Sequence, residues 1–198
     1  MNARNQHAAI VIGTSAGGLY ALSYLLQVLP ADYPLPVIIV QHRYRDQKDL
    51  LEEILQAKCA IKIKQADEKE KIEKGIVYIA PPDYHLLIET DLTFSLTTDA
   101  FVSYSRPSID VLFESAALAF GKHLTGILLT GANSDGAAGL LAIAKCGGVT
   151  IAQSPVEAQF PYMPQAAIDN GAAKFVLTLA EIQKKVLGII HSKDDTDI

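Results

Sequence analysis

Ser15, His42 and Asp135 are the residues in this chain whose types could act together on a carbonyl. A serine hydroxyl is a weak nucleophile until a base takes its proton. A histidine does that best when a carboxylate fixes its tautomer and stabilises its cation. Ser15 lies in Gly13-Thr14-Ser15-Ala16-Gly17-Gly18, which contains the G-x-S-x-G pattern of a nucleophile elbow. The pattern alone is weak, because three fixed positions in five recur by chance. Its place adds weight, because it follows a short apolar run, Ala9-Ile10-Val11-Ile12, and precedes an apolar helix over 19–29. A strand-turn-helix junction lifts one side chain above the sheet edge and aims helix N–H groups at the same spot.

Other roles stand beside this one. Ser15 could serve as a turn residue or helix cap, and His42 could be a packed histidine at a strand end. Asp135, taken alone, reads more readily as the N-cap of a helix starting at Gly136. The glycines could also cradle a dinucleotide, but that site needs an acid at the end of the second strand. Gln41-His42 stand there instead. What favours the hydrolytic set is position: all three side chains fall at predicted strand ends on one sheet edge, where open α/β sheets build their sites. The order Ser, His, Asp differs from the Ser, Asp, His order of α/β-hydrolases and argues against that fold.

The elements that must hold these residues alternate. Strands are predicted over 9–12, 37–40, 75–80, 125–130, 149–152 and 175–177, and an edge strand around Ile61 and Ile63. Helices are predicted over 47–57 with Asp46 as N-cap, from Pro107 with its stripe of Ile109, Leu112, Phe113 and Ala116, over 137–145, from Pro164, and over 179–190. Residues 85–89 and 92–96 suggest an antiparallel hairpin about Thr90-Asp91. The charged stretch 65–75 reads as a solvated turn. The sum is a doubly wound α/β fold, with a mostly parallel sheet, helices on both faces and one small hairpin. It is expected to form a single domain over 8–190 between tails at 1–7 and 191–198.

Composition narrows the partners. The 198 residues carry a formal charge of −5, with 49% apolar and 20% charged residues. Nothing here is a basic footprint for nucleic acid, and no apolar run is long enough for membrane insertion. Cys59 and Cys146 are far apart and both fall at small apolar positions, as reduced structural thiols of a cytosol would. No metal is expected, since His and Cys never cluster at ligand spacing.

Further segments resemble one family. Val40-Gln41-His42, Tyr78-Ile79-Ala80-Pro81-Pro82-Asp83-Tyr84-His85-Leu86, Arg106-Pro107-Ser108-Ile109-Asp110-Val111-Leu112-Phe113, Thr130-Gly131 through Asp135-Gly136-Ala137-Ala138-Gly139, and Met163-Pro164-Gln165 join the Ser15 turn in order and spacing. Together they resemble the catalytic domain of CheB, the chemotaxis protein-glutamate methylesterase. The resemblance covers about residues 8–190. It implies a cytoplasmic, cofactor-free serine esterase acting on methylated glutamates of chemoreceptor cytoplasmic helices, and on receptor glutamines by deamidation. The family triad falls on Ser15, His42 and Asp135. The backbone N–H groups of Ala16 and Ala132 become the oxyanion donors. Arg106 becomes a cleft cation, either receptor-binding or structural. Ala16, Ala132, Asn133-Ser134, Ser154-Pro155 and Pro161-Tyr162 depart from common family residues, so a catalytically weak binding module is the alternative. The phosphorylatable receiver domain of typical members has no counterpart in these 198 residues.

Overall fold

A computed structural model describes residues 8–43 and 50–191. Seven strands form one parallel sheet: β1 (Ala9–Thr14), β2 (Val37–Gln41), β3 (Lys62–Gln65), β4 (Ile76–Ile79), β7 (Leu124–Leu128), β8 (Val149–Gln153) and β9 (Phe175–Leu177). Their order is β3-β4-β2-β1-β7-β8-β9. The remaining strands, β5 (His85–Ile88) and β6 (Phe94–Thr97), make the antiparallel hairpin.

Every residue of β1 is buried. Its side chains alternate between two apolar layers, as the period of a strand requires. Ile10 and Ile12 face α1 (Gly18–Leu26), α2 (Leu51–Gln56) and α6 (Leu179–His191). Ala9 and Val11 face α3 (Ile109–Phe120), α4 (Ala137–Lys145), α5 (Tyr162–Asp169) and the hairpin. A strand covered on both sides needs an unbroken apolar run, which is what Ala9 to Ile12 supplies.

The chain winds outward from β1 through β2 to β3 at the edge, steps back to β4 between β2 and β3, then returns to β7 on the other side of β1. The winding therefore reverses between β1 and β7, and crevices open at such a point beyond the carboxyl ends of the strands. Register sets what meets there. Thr14 pairs with Gln41 across β1 and β2, so Ser15 and His42 emerge at the same level on neighbouring strands. Gly13 allows α3 to come close, since a Cβ there would lie 2.3 Å from Ile109 Cγ2.

Several boundaries differ from expectation. α3 begins at Ile109, not at Pro107, and Ser108 precedes it in an extended conformation. The reason is a cap from elsewhere in the chain, described below. α1 ends at Leu26 and α5 begins at Tyr162. The expected N-cap Asp46 lies outside the described residues. The 65–75 stretch is more than a solvated turn. Its backbone pairs with the hairpin through Lys69 N–H to Phe94 O at 2.8 Å and Ile72 N–H to Leu92 O at 3.0 Å. Cys59 is buried as expected, whereas Cys146 is exposed at the end of α4, so its thiol is not a core group.

Candidate active site

Ser15 follows β1. Its N–H donates to Thr130 O at 3.0 Å, which fastens the turn to the end of β7. His42 follows β2, and its N–H donates to Thr14 O at 3.1 Å. Between them the Gln41 amide donates to Ser15 O at 2.9 Å and to His42 O at 3.1 Å. One side chain thus ties the backbones of both residues, a clamp that the strand-end argument did not anticipate.

The side chains complete a line. His42 Nδ1 stands 3.1 Å from Ser15 Oγ, and His42 Nε2 stands 2.7 Å from Asp135 Oδ2. Both fall within the ~2.6–3.2 Å reach expected of a base and its partners. An ionised carboxylate only accepts, so Nε2 carries the proton and Nδ1 presents its lone pair to the serine. The structure thus brings together all three residues that the sequence singled out.

Asp135 is not the N-cap of the following helix. It sits fully buried and caps α3 instead. Oδ1 accepts from Ser108 Oγ at 2.8 Å and from Asp110 N–H at 3.1 Å. Oδ2 accepts from Ile109 N–H at 2.7 Å as well as from His42. Burial alone would raise its pKa. The His42 hydrogen bond and the Ile109 and Asp110 N–H donors outweigh burial and hold the carboxyl below the usual carboxylate range. The N-terminus of α3 favours the same charge.

Asp110 returns the arrangement. Its Oδ1 accepts from Gly136 N–H at 2.9 Å and Gly139 N–H at 2.7 Å, closing the N-terminus of α4. Each of these two helices is therefore capped by an acid carried by the other segment. Sequence inspection missed Asp110 and Ser108, although both lie in the Arg106–Phe113 segment, because their partners stand 25 to 29 positions away.

Burial, the largest influence on Asp110, pushes its carboxyl up; the Gly139 and Gly136 N–H groups pull it down, and the Asp135 charge pushes it up again, to about 6. An acid that holds its proton more tightly when folded contributes most below its unfolded pKa of about 4. That contribution is lost as pH rises through about 6. Asn at position 110 keeps an oxygen for the two glycines but cannot ionise. Asp110→Asn is therefore expected to melt higher than the parent at pH 8, with the difference shrinking toward pH 4. Paired thermal melts at the two pH values check this, and a pH-independent difference would contradict it.

A cleft of 480 Å³ opens over the line, bordered by Ser15, Ala16, His42, Ala132 and Asn133, with Tyr104 at its rim. Among the described residues, neither the Ala16 nor the Ala132 N–H donates to a protein acceptor. A second hydroxyl, Ser105 Oγ, lies 3.5 Å from His42 Nδ1. Arg106 also borders the cleft, but it is engaged elsewhere. It bonds Asp83 Oδ1 at 2.6 Å and the carbonyls of Thr98 and Asp99, and it stacks on Phe101 at 4.6 Å. These contacts favour the structural reading of that cation. No group of three or more His, Cys, Asp or Glu able to hold a metal occurs among the described residues.

A model of the family described as CheB methylesterase matches residues 10–186. The chain belongs to that family. The match covers the Ser15 turn, His42, Asp135 and both helices that cross-cap. A putative protein-glutamate methylesterase/protein-glutamine glutaminase of Leptospira interrogans is 48% identical over 176 residues, covering 89% of this chain and 91% of the relative. A protein-glutamate methylesterase/protein-glutamine glutaminase of Bordetella pertussis is 38% identical over 182 residues. There the aligned part is 90% of this chain but 52% of the relative, so the chain spans about half of that CheB-family protein. The crystal structure of the Thermotoga maritima CheB methylesterase catalytic domain superposes with a TM-score of 0.88 at 29% identity, covering 93% of this chain and 99% of that one. The parallel sheet with its added hairpin is thus the CheB fold.

Proposed function

We propose that this chain is a serine hydrolase that removes methyl esters from glutamate side chains of chemoreceptors. The observation that carries the reading is the unbroken line Ser15 Oγ, His42, Asp135, with separations of 3.1 and 2.7 Å, beneath a cleft holding two free N–H groups. Ser15 Oγ attacks the ester carbonyl carbon while its proton passes to His42 Nδ1. The carbonyl oxygen becomes an oxyanion and accepts from Ala16 N–H and Ala132 N–H, which are in place before the charge forms. As the tetrahedral species collapses, the C–O bond to the methoxy group breaks, and His42 returns the proton so that methanol leaves. Water then repeats the cycle on the acyl-enzyme and frees the glutamate. With a glutamine side chain, ammonia leaves in place of methanol, the activity that the relatives' second name describes.

The substrate in this reading is the cytoplasmic helix of a chemoreceptor, and the enzyme works in the cytoplasm beside it. Among the described residues no helix is long and apolar enough to cross a membrane. A serine-directed phosphonate tests the chemistry. It is expected to form one adduct, on Ser15, and to block methanol release from methylated receptor in proportion. An absent adduct together with absent methanol release would leave the alternative, a catalytically weak binding module.

A further inference from the structure

Beside the cleft lies a second hollow of 660 Å³, walled by Pro155, Val156, Phe160, Tyr162 and Ala166. It shares Ala132 with the cleft over Ser15, so the two adjoin at that residue. Its wall is firmly built. Phe160 N–H donates to Thr130 Oγ1 at 2.9 Å, Gly131 N–H donates to Phe160 O at 2.9 Å, and Met163 N–H donates to Gly131 O at 3.0 Å. The loop that forms the hollow is thus stitched to the strand end that carries Ala132.

Of its apolar walls, Ala166 packs against the core, while Val156, Phe160 and Tyr162 are left to solvent. Val156 is 97% exposed and Tyr162 62% exposed, with Phe160 also open to solvent. Exposed apolar residues gathered in one concave place mark a contact surface. The polar groups at the rim, Gln165 and Asp169, bond each other at 2.7 Å. A small polar ligand or cofactor needs several convergent polar groups, and this hollow does not offer them. It suits an apolar side chain. Because the hollow adjoins the cleft at Ala132, a molecule whose ester reaches Ser15 can place such a side chain there.

We propose that this hollow docks a large apolar residue of the substrate protein close to the target glutamate, and so selects which ester is hydrolysed. The proposal rests on the hydrolase reading above. On a helix the docked residue stands three or four positions from the glutamate, or one turn further, because such residues share a face. Its side chain fills the hollow while the glutamyl ester enters over Ser15.

The test compares two substrates on the parent and on Val156→Asp/Tyr162→Asp. One is a methylated chemoreceptor cytoplasmic fragment and the other is p-nitrophenyl acetate, which is too small to reach both hollows. Both replaced side chains are exposed, so the melting temperature is expected to stay unchanged. For the receptor fragment kcat/KM is expected to fall roughly tenfold to a hundredfold, mainly through KM, as loss of a docked apolar anchor does. For p-nitrophenyl acetate it is expected to hold. Equal rates of parent and variant on the receptor fragment overturn the proposal. So does a variant whose oligomeric state changes in light scattering while receptor turnover holds, since the face then contacts a second copy. Failure of the underlying reading looks different, because the parent itself would then hydrolyse neither substrate.

Discussion

Ser15→Ala is expected to abolish methanol release from methylated receptor while leaving the melting temperature unchanged. The loss of kcat should be on the order of 10⁴- to 10⁶-fold, the scale on which serine hydrolases fail without their nucleophile. Stability should hold for a local reason. Among the described residues the Oγ bonds only His42, whereas the backbone of Ser15 keeps its bonds to Thr130 O and to the Gln41 amide. Alanine fits the same turn and removes only the attacking atom. Methanol assays with paired thermal melts check both halves. Retained turnover with an intact fold would remove Ser15 from the chemistry and end the hydrolase reading.

Asp135→Asn is expected to damage activity and stability together, which separates it from the serine variant. The carboxylate faces four donors: Ser108 Oγ, Asp110 N–H, Ile109 N–H and His42 Nε2–H. An amide has one accepting oxygen, and its NH₂ must point at donors in either orientation. If the NH₂ faces His42, the ring is driven to the opposite tautomer and Nδ1 carries the proton. It can then no longer accept from Ser15, and a wrong tautomer lowers kcat about 10⁴-fold. The opposed donors around Ile109 leave buried N–H groups unsatisfied, at about 1–3 kcal/mol for each. Single-turnover kinetics and denaturant melts read the two effects separately. Parental kcat in the asparagine variant would show that Asp135 does not orient His42.

Much of this arrangement was legible in the chain because it rests on short-range signals. The apolar run before Gly13 announces a doubly covered strand, and the alternation that follows announces the parallel sheet. Ser15 and His42 each stand just past a strand, so their meeting on one edge follows from parallel winding, whereas Asp135 lies further along the loop between β7 and α4 and is placed by its bonds to the head of α3. What escaped inspection depends on which segments become neighbours. Asp135 resembles an ordinary cap for the helix next to it, and only the packing of α3 against α4 shows that it caps the other one. The start of α3 at Ile109 has the same cause. The 65–75 stretch looks solvated by composition, yet its backbone finds the hairpin edge. Cys146 looks internal by its neighbours, yet it is the exposed residue at which α4 ends. The Gln41 clamp was hidden because an amide beside a histidine carries no signal until two carbonyls converge on it.

The exchanged acids at the heads of α3 and α4 have a kinetic corollary. Neither helix can fray at its first turn without withdrawing a carboxylate from the other, so breathing at one head propagates to its neighbour within the same event. The acid that orients the imidazole is among the groups withdrawn. On the proposed reading, opening at this pair of helix heads is therefore expected to silence turnover before the fold is lost.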